Sequence, residues 1–190
     1  MNKAETEPFI LAALEAAASG NWETVSIAEI AATADVSPRR AELAFADKRA
    51  VLREIAANLD RVVEANLEPD IQDPELPIRD RLFDVLMARF EAMAEHHAGY
   101  SALLRAAPRH PAEALDGIAS VRTSMRAALE AAGVPAAGLC GQLRIEGLRA
   151  IFLSCLTTWL SDETQDLSFT MRALDARLKK ADEAAQLLRL

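Results

Sequence analysis

The sequence predicts an all-α protein: a small three-helix head of the helix-turn-helix kind, then a larger helical body, about nine helices in all. Three observations predict it. Of 190 residues, 51% are hydrophobic, with Ala and Leu dominant. Helix breakers are scarce, at 7 Gly and 8 Pro. Val, Ile, Thr and aromatic residues nowhere cluster into the alternating runs that a sheet requires. A chain of this length can bury a full core without disulfide or metal staples.

The first helix is expected over residues 8–19, with Pro8 in its first turn and Gly20 as terminator. Ile10, Leu14 and Ala17 give it one apolar face. Ser26 followed by Glu29 has the spacing of a capping box and starts a second helix over residues 27–34. Ser37-Pro38 pairs a cap with the residue best tolerated at the first helical position and opens a short third helix, residues 38–44. Asp47 caps a longer fourth helix to residue 66, with Val51, Leu52, Ile55, Leu59 and Val62 on its apolar side. The stretch EPDIQDPELP, residues 68–77, has three prolines and four acids and cannot continue a helix. Beyond it, helices are expected over residues 78–97, 100–107, 112–132, 137–160 and 167–190. They are separated by PRHP, GVP and SDETQ.

Net charge is −8, from 29 acidic and 21 basic residues. Nonspecific grip on nucleic acid comes from cations neutralising phosphates, so an acidic chain must gather its positive charge locally to bind DNA. Within residues 1–60 six cations face ten acids. Cys140 and Cys155 stand fifteen residues apart on one helix, about 22 Å, too far to pair within a chain, and read as free thiols in a reducing compartment. MNKAETEPFI has no charged start followed by a long apolar run, and no uninterrupted apolar stretch reaches membrane-spanning length. These features predict a cytoplasmic protein without stable membrane insertion.

The string TVSIAEIAATADVSPRRAELAFADKRAVL resembles the DNA-binding head of the TetR family of bacterial transcriptional regulators. The likeness is carried by Trp22 after Gly20, Ser26-Ile27-x-x-Ile30-Ala31, Ala34-x-Val36-Ser37, and Phe45-x-x-Lys48 followed by Leu52. It covers about the first 55 residues. The resemblance implies a DNA-binding head over residues 1–55 and an effector-binding, dimerising body over residues 56–190. It implies that the third helix lies in the major groove, with Ser37, Arg39 and Arg40 at its start, Lys48 facing a phosphate, and Ser26 at the N-terminus of the second helix. Glu42 stands where the family usually has tyrosine, Arg40 where it has a small residue, and Ala44 where it has histidine. Glu42 lies three residues after Arg39, close enough for the two to pair. GYSALLRAAPRHP and TTWLSDETQDLSFTMRALDARL also resemble parts of the TetR-fold lipid-binding proteins of ubiquinone biosynthesis, which implies a lipid or isoprenoid carrier as the alternative.

In the body, Phe83, Met87, Phe90, Leu104, Met125 and Phe152 recur at helical spacing and suit either a plain core or an apolar pocket. By resemblance they line a cavity for a small apolar or amphipathic effector that releases a repressor from its operator. Leu148, Ile151, Cys155, Trp159, Phe169 and Leu174 belong to helices apolar over more than one face. By resemblance these helices pair with their copies in a homodimer, and two-fold symmetry then predicts double-stranded DNA with a palindromic operator. Arg144, Glu146 and Arg149 interrupt one of them as an ion-paired face, a subunit contact or an effector anchor. His96 and His97 point about 100° apart at a helix end, which favours capping over shared metal binding. No catalytic triad or phosphate-cradling loop can be assembled, so no enzyme, metal or cofactor is expected.

Overall fold

The computed structural model describes Met1 and residues 3–188. Among these residues the chain forms nine α-helices and no strand: α1 Lys3–Ala18, α2 Ile27–Thr33, α3 Pro38–Ala44, α4 Lys48–Asn66, α5 Ile78–Ala94, α6 His97–Ala106, α7 Pro111–Ala131, α8 Gly138–Trp159 and α9 Ser168–Leu188. A single 3-10 turn, Ala107–Arg109, lies between α6 and α7. None of the described helices is long and apolar enough to cross a membrane.

Local chemistry sets the boundaries. The end of α1 has the hydrogen bonds of a Schellman motif, from Gly20 N–H to Ala17 O and from Asn21 N–H to Ala16 O, with Gly20 at φ 75°. The end of α2 repeats the pattern with Asp35 at φ 55°, and Val36 N–H reaches back to Ala31 O at 2.8 Å. An aspartate tolerates this left-handed conformation better than most side chains. The following residue, Val36, is buried and anchors the turn into α3. Asp47 Oδ1 accepts the Ala50 N–H at 2.8 Å and so caps α4.

Three boundaries, the start of α1, the end of α5 and the start of α6, differ by three residues or more from those read in the sequence. Helix α1 begins at Lys3 and encloses Pro8. That ring, at the sixth position of the helix, removes one intrahelical donor. Helix α5 stops at Ala94, and His96 is the N-cap of α6 rather than a C-terminal residue of one long helix. Its imidazole makes no side-chain capping bond.

The contacts divide the chain into two compact units. The first comprises Met1–Leu59 and Met93–Ser120, so α6 and the first half of α7 are grouped with α1, α2 and α3. Its core holds Phe9, Ile10, Leu14, Trp22, Ile30, Val51 and Ile55, and Phe9 stacks on Phe45 with ring centroids 4.9 Å apart. Gly99 is what lets α6 lie close to α1, since a Cβ there would stand 2.6 Å from the Leu14 carbonyl oxygen.

The second unit comprises Asp60–Ala92 and Val121–Leu190. Leu86, Phe90, Met125, Ile145, Phe152, Trp159 and Leu174 form its core, and α8 packs along α9. The junction before α9 is tied by Asp162, a buried carboxylate that accepts the Thr170 N–H at 2.7 Å and the Thr170 hydroxyl at 2.8 Å. Burial pushes this carboxyl up, and the hydrogen bonds from Thr164 and Thr170 outweigh it, leaving the group below its ordinary value.

Candidate nucleic-acid interface

Helices α2 and α3 with the turn at residues 34–37 have helix-turn-helix form within the first unit. Ala41 is the buried residue of α3, and every other residue of that helix is exposed. Arg39, Arg40, Glu42 and Leu43 therefore all lie on the solvent side. Ser37 is the N-cap of α3, exposed, with no side-chain capping bond.

Of the cations expected to grip DNA, Arg40 and Lys48 are engaged within the protein, as are the neighbouring Arg49 and Arg53. Arg40 donates to Glu5 of α1. Lys48 donates to the carbonyls of Trp22 and Glu23 and sits 5.5 Å from the centre of the Trp22 ring. Burial pushes its ammonium below the usual range, against the pull of Glu113, Glu23 and Glu29. Arg49 makes a two-pronged bond to Asp116, at 2.7 and 2.9 Å, and Arg53 reaches the same carboxylate at 3.1 Å. The Arg49 bond holds the Asp116 carboxyl below its ordinary value. Arg39 differs: among the described residues it has no hydrogen-bond or ion-pair partner, Glu42 included.

Ser26 is also committed. Its backbone N–H and hydroxyl both donate to Glu29 Oε2 at 2.7 Å, and its Oγ accepts the Glu29 N–H at 3.2 Å. The capping box is thus complete, and the bond from the Ser26 backbone holds the Glu29 carboxyl below its ordinary value. A carboxylate already occupies the place at the start of α2 where an anion would be drawn.

In the second unit a cleft of about 420 Å³ opens among α4, α5 and α7. Val63, Val85 and Leu86 supply apolar wall, while Asp60, Arg89 and Ser124 supply a polar one. Arg89 donates to Asp60 and, at 3.1 Å, to Ser124, whose hydroxyl donates to Asp60 at 2.9 Å. The Arg89 guanidinium also lies 5.4 Å from the Phe152 ring, and Phe152 stacks on Phe90 at 5.0 Å. The residues read as an apolar pocket therefore take other places. Met87, Phe90, Met125 and Phe152 are buried core and Phe83 is half-buried, and none of these lines the cleft. Leu104 belongs to the first unit.

The residues read as a subunit interface divide similarly. Leu148, Cys155, Trp159 and Leu174 are already buried within the second unit, Ile151 is half-buried, and Phe169 is 55% exposed. Exposed apolar surface on α8 and α9 comes instead from Leu139, Leu143, Phe169 and Met171. Glu146 ion-pairs with Arg122 at 2.7 Å and with Arg149 at 2.5 Å, while Arg144 donates to the Pro135 backbone carbonyl at 3.1 Å. Of the two cysteines, Cys140 is exposed and Cys155 is buried, and burial pushes the Cys155 thiol up.

No protein-family model and no curated protein matches the sequence. Solved structures do match the fold. A TetR transcriptional regulator from Nitrosomonas europaea superposes with a TM-score of 0.73 at 22% identity, over 93% of this chain and 97% of that one. A TetR transcriptional regulator from Rhodococcus sp. RHA1 gives 0.63 at 18% identity, over 93% and 96% of the two chains. A TetR-family regulator from Streptomyces coelicolor gives 0.59 at 20% identity, over 97% and 84%. Over almost its whole length, then, this chain has the all-helical fold of the TetR transcriptional regulators.

Proposed function

We propose that the protein is a homodimeric DNA-binding transcriptional regulator of the cytoplasm, a repressor released from a palindromic operator by a small amphipathic effector. The observation that carries this reading is the outward face of α3. A capped helix-turn-helix leaves that face uncovered and places there an arginine, Arg39, which no acid of the described structure neutralises. Arginine in that position can pair with guanine in the major groove or grip a phosphate through the same planar fork. Similarity of fold to proteins described as transcriptional regulators supports this reading over a lipid carrier.

The remaining parts follow from the second unit. Exposed Leu143 and Phe169 offer apolar surface on two long helices, which suits a two-fold interface with a second copy. The cleft's mixed wall suits a ligand with an apolar body and a polar end. Such a ligand can act only through a difference in affinity between the DNA-competent and DNA-released arrangements of the dimer.

The test is a fluorescence anisotropy titration of a random-sequence duplex against salt. Affinity should fall roughly 3.5-fold between about 50 and 200 mM salt for every phosphate contact made. Absence of binding at the lower salt would overturn the proposal.

A further inference from the structure

Leu43 is 80% exposed, more than any other leucine in the first unit, and it stands on the one helix that the proposed function gives to DNA. Around α3, at about 100° per residue, Arg39 and Leu43 lie about 160° and 200° from the buried Ala41. They flank the outermost line of the helix, while Arg40 and Glu42 lie about 80° to either side of it. Any groove that receives α3 meets Arg39 and Leu43 first. Arg40 is turned to Glu5, and a carboxylate at Glu42 keeps phosphate away from its flank.

We infer that Leu43 is a specificity-determining residue that reads the 5-methyl group of a thymine, next to a guanine read by Arg39. This rests on the DNA-binding reading and adds to it the kind of sequence bound. The major groove is the face of the duplex that shows an apolar group, the thymine methyl, and apolar side chains recognise it by contact. An exposed leucine can gain from burial there and cannot gain from a phosphate. Arg39 and Leu43 are four residues apart, about 6 Å along the axis, so the two bases fall within about two steps of one another at about 3.4 Å per step.

The experiment uses the full chain and the duplex it selects from random DNA. Each thymine is replaced in both half-sites by deoxyuridine, which removes only the methyl, and binding is read by anisotropy. One thymine position should weaken binding by about fourfold per half-site, roughly 14-fold for the pair, from the loss of one buried methyl in each. The L43A protein, altered at an exposed position, should bind thymine and uracil duplexes within about twofold of each other. Persistence of the discrimination in L43A, or insensitivity of every thymine in the wild type, overturns the role given to Leu43 and leaves DNA binding standing. Failure to select any duplex overturns both.

Discussion

Arg39 and Lys48 stand nine residues apart in the same head, and their substitution by alanine should have different consequences. Arg39 is exposed and makes no hydrogen bond or ion pair among the described residues, so Arg39→Ala should leave stability within about 0.5 kcal/mol of the wild type. Each copy, however, gives up a contact with base or backbone worth about 1–3 kcal/mol, and a two-fold complex contains two of them. The loss in affinity is then about 2–6 kcal/mol, at least roughly 30-fold. Lys48 instead donates to two carbonyls across the head and covers the Trp22 ring. Bonds to a charged donor contribute about 1.5–3 kcal/mol, so Lys48→Ala should lower stability by about 1–2 kcal/mol once its partial exposure is allowed for. That corresponds to a melting temperature lower by about 2–8 °C for a chain of this size. The assays are thermal unfolding by circular dichroism and anisotropy with the selected duplex. An Arg39→Ala protein that binds as tightly as the wild type, or a Lys48→Ala protein that melts unchanged, refutes the division of labour.

Two glycine substitutions should have opposite signs. Gly99→Ala gains about 1 kcal/mol of helix propensity but drives a methyl into the Leu14 carbonyl, so urea unfolding should show net destabilisation of about 1–2 kcal/mol. Gly117→Ala in α7 meets open space and should stabilise by about 0.5–1 kcal/mol. Asp162→Asn should cost about 1–3 kcal/mol at neutral pH, because the carboxylate accepts from both threonines. The folded value of this group lies below its unfolded one, so its contribution is present above the unfolded carboxylate range near pH 4 and lost as pH falls through the folded value. The wild type should therefore lose stability relative to Asp162→Asn as it is acidified below about pH 4, and a constant difference across that window would contradict the assignment. Leu143→Glu and Phe169→Glu should sediment as monomers with unchanged helix content, whereas dimers would place the interface elsewhere.

The fold was legible because its signals are local. Ser26 and Glu29 form the capping box their spacing announces, and Asp47 caps the helix it precedes. The apolar period gave the helices but carried the fifth through His97, three residues past its end at Ala94, because neither proline nor glycine marks the stop. The site was less legible because its chemistry is nonlocal. Arg40 is neutralised by an acid 35 residues away and Arg49 by one 67 residues away, distances over which charge patterning says nothing. Periodicity likewise identified Leu148, Cys155, Trp159 and Leu174 as apolar without telling whether α8 and α9 bury them against each other or against a second copy. The cleft escaped notice because polar and small residues, Asp60, Ser124 and Ala128 among them, line much of it, and a search for apolar stripes passes over them.

Whether α3 reads DNA is decided by selection of random duplex DNA by the purified protein, at low and at moderate salt, followed by sequencing of the bound pool. Enrichment of a two-fold symmetric sequence, lost with Arg39→Ala, is the predicted result. A pool as random after selection as before it, at both salts, would contradict the claim that the outward face of α3 reads DNA.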